Sequence, residues 1–212
     1  MDIRIVCISD THDLHRDLSI PEGDILIHAG DITYFGSSGV LYDFNEYMGS
    51  LPHHHKIVIA GNHDFCIADD PKACAAILTN CIYLQDQSVT VEGIKFYGSP
   101  WQPWFHDMAF NLQRGPDIKA KWDLIPEDTD VLITHGAPYG HLDTIQGISQ
   151  GCQDLLTAVE RVRPKFHVFG HIHNEVGSSR NKYTAFINAS SCDQWYKLAN
   201  LPVVFNIKGQ RD

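Results

Sequence analysis

The chain has 212 residues, with 16 Lys and Arg against 26 Asp and Glu, for a formal net charge of -10. Phosphate backbones are held by clustered cations, so this balance excludes an extended nucleic-acid surface, though not a small anionic substrate whose charge is met by bound metal ions. Apolar residues make up 43% of the chain, and none of their runs is long enough to cross a bilayer.

A core of useful size fits within one domain of this length, and a single domain over residues 1–212 is expected. The six cysteines are scattered, without a Cys-x-x-Cys pair, and read as reduced structural thiols. The opening residues Met1 to Cys7 lack the basic head and apolar middle of a secretory signal, which points to the cytoplasm.

Taken in chain order, short Ile- and Val-rich runs predict strands at 3–8, 24–28, 56–60, 88–91, 94–98, 131–134, 166–169, 185–188 and 203–207. Several are apolar throughout, as strands covered on both faces are. Between them, 39–51, 70–78 and 149–163 read as helices; the third sets Leu155, Leu156, Val159 and Val162 on one face and stops before Pro164. Pro100 to Pro116 forms a long loop carrying Trp101, Trp104, Phe105 and Phe110, a feature often tied to function. The alternation predicts an α/β fold, a four-layer sandwich of two mixed sheets flanked by helices, with sites at the carboxyl ends of strands.

Those strand ends carry the chemistry. Asp10 and His12 follow the first strand, Gly30-Asp31 the second, and Gly61-Asn62-His63-Asp64 the third. Thr134-His135-Gly136 and Gly170-His171-Ile172-His173 follow two later ones. In extended chain, residues i and i+2 point to one side, so Asp10 with His12 and His171 with His173 can each present two side chains together. Carboxylate, imidazole and amide ligands without thiolate suit Zn, Fe or Mn, and Asp31 is the natural bridge between two ions. Four ordered His positions are not explained by turn propensity, although Asp, Asn and Gly alone would be.

These blocks resemble the five motifs of the calcineurin-like metallophosphoesterase superfamily: D-x-H, G-D, G-N-H-[DE], H and G-H-x-H, in order from Asp10 to His173. The runs Thr-His-Gly-Ala-Pro and Ile-Asn-Ala-Ser are similar to its small metallophosphoesterase-domain-containing branch. The resemblance implies a first metal on Asp10, His12, Asp31 and His173, and a second on Asp31, Asn62, His135 and His171. His63 would then be a general acid, with Asp64 orienting its ring. It further implies hydrolysis of small phosphodiesters, cyclic nucleotides among the candidates, by in-line attack of a metal-bound hydroxide. A phosphomonoesterase is the enzyme alternative. A non-catalytic scaffold on the same fold, as the small retromer subunit is, is the alternative from another class; retention of His63 speaks against it. One departure is Tyr34, where the superfamily often has Asp; with no Asp-Arg-Gly run after Asp31, a protein Ser/Thr phosphatase is disfavoured.

Outside the motifs, His28, His106, His141 and His167 read as paired or exposed polar residues, and His53 to His55 as a solvent-facing run. Trp101, Trp104 and Phe105 either edge the cleft, where they could stack on a base, or cap the core. Tyr139 and His141 are placed near enough to His135 to touch substrate. Asn188 and Ser191 have no role that the sequence assigns.

Overall fold

The computed structural model describes residues 2–209. Eleven strands form two mixed sheets. The first sheet contains β1 (Asp2–Ile8), β2 (Ile25–Ala29), β3 (His55–Ile59) and β4 (Ile82–Tyr83), all parallel. The second contains β5 (Gln87–Val91), β6 (Ile94–Ser99), β7 (Val131–Thr134), β8 (Phe166–Phe169), β9 (Gly177–Arg180) and β10 (Ala185–Asn188). Strand β11 (Val203–Lys208) returns to pair antiparallel with β1. The orders are β11-β1-β2-β3-β4 and β9-β10-β8-β7-β6-β5.

Because side chains alternate across a strand, each sheet divides its residues between two interfaces. Ile5, Cys7, Ile25, Ile27, Ile57 and Ile59 of the first sheet meet Phe96, Val131, Ile133, Val168 and Ile187 of the second in one buried cluster between the sheets. The residues one step out of phase, Val6, Ile8, Leu26 and Val58, pack under α1 (Ser38–Ser50), α2 (Phe65–Asp69) and α3 (Pro71–Ile77) through Leu41, Phe44, Met48, Ile67 and Cys74. On the far side, Tyr97, Leu132, Phe169 and Phe186 pack under α4 (Pro116–Trp122) and α5 (Gln153–Val162) through Trp122, Leu155 and Val159. Three apolar layers between four structural ones make the expected sandwich.

The nine predicted strands are all present, with ends within one residue of the prediction. Two of the helices match as closely. The third begins four residues late, at Gln153: Ser149 belongs to a short antiparallel ladder with Thr144, and the Cys152 thiol caps the helix by accepting from the Leu155 N–H at 3.4 Å. Arg163, in the left-handed region at φ 55°, closes it before Pro164. The long loop also holds a two-residue parallel ladder, Gln102–Pro103 against Asn111–Leu112. No described helix is long and apolar enough to cross a membrane.

Phe96 is fully buried between the sheets. Phe96→Ala should therefore cost about 3–5 kcal/mol by leaving a cavity, while Val204→Ala on the exposed face of β11 should cost less than about 1 kcal/mol. Denaturant titration of the two variants checks this.

Candidate metal centre

Five strand ends converge where the edges of the two sheets meet. Asp10, His12, Asp31, Asn62 and His63 come from the first sheet, and His135, His171 and His173 from the second. The seam is closed by the Ser9–Ser190 bridge and by the Ser191 N–H, which donates to Ser9 O at 2.8 Å. Convergence is not achieved by extended backbone, as the i, i+2 spacing had suggested. Asp10, His12, Asp31 and His171 all lie at positive φ, between 42° and 67°, so the chain turns back sharply at each strand end. Left-handed backbone at four non-glycine residues is a cost that functional sites concentrate. Close approach is also required of Gly170, where a Cβ would fall on Asp10 Oδ2, and of Gly61, where it would fall on Asp31 Oδ1.

The donor set is crowded. Asp10, His12 and His173 bring one ligand atom each within 4.8 Å of one another, as do Asp10, Asp31 and His135, and also His12, Asp31 and His63. His135 Nδ1 donates to Ala29 O at 3.0 Å, which leaves the Nε2 lone pair facing Asn62 Oδ1 at 2.8 Å and Asp31 Oδ2 at 3.4 Å. His173 Nδ1 donates likewise to Asp193 O at 2.9 Å, and its Nε2 meets Asp10 Oδ1 at 3.1 Å. Backbone carbonyls behind ligating imidazoles fix the tautomer in this way. Both ring nitrogens of His12 are buried without a hydrogen-bond partner, and Nε2 lies 3.7 Å from Asp31 Oδ2. Lone pairs aimed at lone pairs are relieved only by a proton or a cation, so the residues present fit metal ions. His171 joins through its N–H, donated to the Asp10 carboxylate at 3.0 Å, with its ring 5.1 Å from that of His135.

The electrostatics agree. Burial alone would raise Asp10 and Asp31 and lower His135. Instead the His173 and His135 rings hold the two carboxyls well below the usual range, and Asp31 and Asp10 overcome burial to lift His135 to about 9. Asp10 and Asp31 expose 0% and 1% of their surface. A buried pair of carboxylates asks for cationic charge.

Asp64 does not orient His63. The His63 Nδ1–H donates to Tyr34 O at 2.8 Å. The Asp64 carboxylate points inward instead and accepts from the N–H groups of Gly61 and Thr33, both at 2.8 Å, and from the Thr33 hydroxyl at 2.9 Å. Burial, with Asp31 adding to it, pushes Asp64 up to about 6. Its position after His63 makes it a brace for the turns that carry Asp31 and Asn62, at one remove from the ring.

Two further residues support the ligands. Ser190 Oγ donates to Asp10 Oδ2 at 2.8 Å, and Asn188 Nδ2 donates to Ile172 O at 2.7 Å, between the two histidines of Gly-His-Ile-His. Asn188 ends β10 and Ser190 follows it, so the rule that picked out the other strand ends also covers these two. His28 and His167 are buried, bonded to Thr11 at 2.9 Å and Thr134 at 2.8 Å, each Thr adjacent to a candidate ligand. His53 is buried rather than solvent-facing, with Nε2 on Pro21 O at 3.0 Å.

The centre opens into a cleft of about 230 Å³ whose lining includes Asp31, Asn62, His63, Trp104, Phe105 and Tyr196. The aromatic loop is thus divided. Trp104 and Phe105 edge the cleft, whereas Trp101 is half-buried, donating to Asp86 at 2.9 Å, with Phe110 packed beside it. Tyr139 and His141 do not line the cleft; His141 stacks on Phe186 at 3.7 Å.

Sandwich and donor set together define a metallophosphoesterase. The family described as Calcineurin-like phosphoesterase matches residues 3–175, and the chain belongs to it. It is 44% identical to metallophosphoesterase domain-containing protein 1 of Homo sapiens over 99% of this chain and 72% of that one. A UPF0046 protein of Caenorhabditis elegans is 45% identical over 97% of this chain and 81% of its own length. Among solved structures, TT1561 of Thermus thermophilus shares the fold with a TM-score of 0.62 at 14% identity, covering 98% of this chain and 100% of that one.

If Asp31 is the shared ligand, Asp31→Ala should lose both metals, whereas Ser190→Ala should keep its ligands and bind metal about tenfold more weakly. Metal content and affinity, measured by elemental analysis and titration calorimetry, distinguish the two.

Proposed function

We propose that this chain is a dinuclear-metal-dependent hydrolase of small phosphodiesters, working in the cytoplasm with Mn, Fe or Zn. The first ion would be held by Asp10, His12, Asp31 and His173, and the second by Asp31, Asn62, His135 and His171. When bound, a pair of ions supplies Lewis-acid polarisation of the phosphoryl oxygens and a water acidified toward neutrality.

The protein's own groups account for the remainder. His63 lines the cleft, and Tyr34 O occupies its Nδ1, so Nε2 is the nitrogen left to hold a proton toward the leaving oxygen. Its ring lies against those of Tyr34 and Tyr196, at 5.7 Å from each. Phe105 stands on another side of the centre, 6.1 Å from the His171 ring. The observation that carries the diester reading is this pair of separate walls, one for each ester substituent. The small cleft favours small substrates. A phosphomonoesterase is the second reading, favoured by a cation in the cleft, Arg114.

The test compares a chromogenic diester with its monoester on stripped protein, with and without added Mn²⁺. Diester turnover should require the metal. His63→Ala should lower it by about 10²–10⁴-fold and keep both metals. Faster monoester turnover would replace this reading with the second one, metal loss in His63→Ala would make that residue a ligand, and metal binding without cleavage of either ester would leave a scaffold.

A further inference from the structure

The cleft extends beyond the metal ligands to Trp104, Phe105 and Arg114. Its floor runs outward from His135 through Gly136 and Ala137. There the Cys152 N–H donates to Ala137 O at 2.9 Å and brings Gly151 alongside. Arg114 closes this end. Its guanidinium donates to Gly151 O and to Gln150 O, both at 2.9 Å. No carboxylate among the described residues lies within ion-pair distance of it, in a chain with ten more acidic than basic groups. A guanidinium held by two backbone carbonyls, with no carboxylate in direct ion-pair contact, is a preformed receptor for an anion.

Apolar side chains line part of the cleft as well. Phe105 and Trp104 stand on one side, and Ile145 and Ile172 also face the cleft. Half of the Phe105 surface and more than half of the Trp104 surface are exposed, at 50% and 54%. The backbone that carries these rings is tied down. The Asn111 side chain donates to Phe105 O at 3.2 Å and His106 O at 2.8 Å, and the Trp104 N–H donates to Leu112 O at 2.9 Å. The Ala109 N–H ties the same loop to Asn62 O at 3.1 Å. Aromatic side chains have few rotatable bonds, so on an anchored backbone they lose little entropy when a flat group packs on them.

We infer that this end of the cleft is a subsite for the ester group retained on phosphorus, and that it selects a flat aromatic group bearing a second anion, which Arg114 receives. This deepens the phosphodiesterase reading and rests on it for the phosphoryl position. The leaving group is placed on the opposite side, toward His63, Tyr34 and Tyr196, because the proton donor stands there.

The test is direct binding, which does not depend on turnover. Methylphosphonate, phenylphosphonate and 4-carboxyphenylphosphonate are titrated calorimetrically into Mn²⁺-loaded protein; each carries its substituent through a P–C bond and has no ester bond to hydrolyse. The phenyl compound should bind about tenfold more tightly than the methyl one, and the carboxylate should add about another tenfold through a charge-assisted hydrogen bond. Phe105→Ala should remove most of the phenyl advantage. Arg114→Gln should abolish the carboxylate advantage alone, while Arg114→Lys, which keeps the charge, should retain part of it. Equal binding of the three compounds, or an equal loss of all three in Arg114→Gln, would overturn the subsite. Hydrolysis of methyl 4-nitrophenyl phosphate is followed on the same loaded samples. Graded binding without hydrolysis would sink the phosphodiesterase reading and leave the subsite standing, whereas hydrolysis with ungraded binding would do the reverse.

Discussion

Two ionised carboxylates without solvent, Asp10 and Asp31, are the constraint around which this molecule is built. Removing such charges from water costs several kcal/mol each, and the surroundings are arranged to offset it. The His171 N–H and Ser190 hydroxyl donate to Asp10, and the His63 N–H donates to Asp31 at 2.8 Å. The imidazoles of His135 and His173 stand against them with their outer nitrogens already committed to backbone carbonyls. Without cations, the site can balance its charge only by protonating those imidazoles, which is why His135 is driven up to about 9. Metal ions bound here would displace that proton and take over the lone pairs, so metal affinity, proton release and fold stability would draw on the same local arrangement.

The features most legible in the sequence were those with short-range causes. Apolar runs of four to seven residues marked the strands because both sheets are covered on both faces, and Gly-Asp, Gly-Asn-His-Asp and Gly-His-Ile-His marked the turns that follow. What escaped had other causes. The helix at Phe65–Asp69 has only five residues, too few for its periodicity to emerge, and Pro116–Trp122 begins at the proline that bounds the predicted long loop. The strand Gly177–Arg180 reads Gly-Ser-Ser-Arg, without apolar character, and exists because β10 offers it an edge. Tyr196 and Arg114 carry no pattern of their own; their places at the site are set by tertiary contacts from elements far away in the chain.

Asp64 shows how adjacency in sequence can suggest a partner that the fold does not supply. Adjacent to His63 in sequence, it invited a reading as the orienter of that ring. Adjacent peptide side chains in a tight turn diverge, however, and this carboxylate turns into the fold, where three backbone N–H groups receive it. The residue that orients His63 is Tyr34, through its main-chain carbonyl. A backbone acceptor is indifferent to side-chain identity, so the Tyr side chain at this position costs the imidazole nothing. Its ring instead extends the aromatic wall that includes Tyr196, at 4.8 Å.

Because the candidate ligands are divided between the sheets, the centre is assembled only when the sheets are packed. Asp10, His12, Asp31 and Asn62 move with the first sheet, while His135, His171 and His173 move with the second. The forces holding the two halves in register are the apolar cluster between them and the few hydrogen bonds at the Ser9–Ser190 seam. Inter-sheet packing is therefore a determinant of ligand geometry as well as of stability: a small slide of one sheet over the other would separate Asp31 from His135 and Asp10 from His173 together. The cross-sheet hydrogen bonds centred on Asp10 act in the opposite direction, fixing the relative position of the sheets at the one edge where the hydrophobic layer ends. Site and core hold each other in place, and neither is an addition to the other.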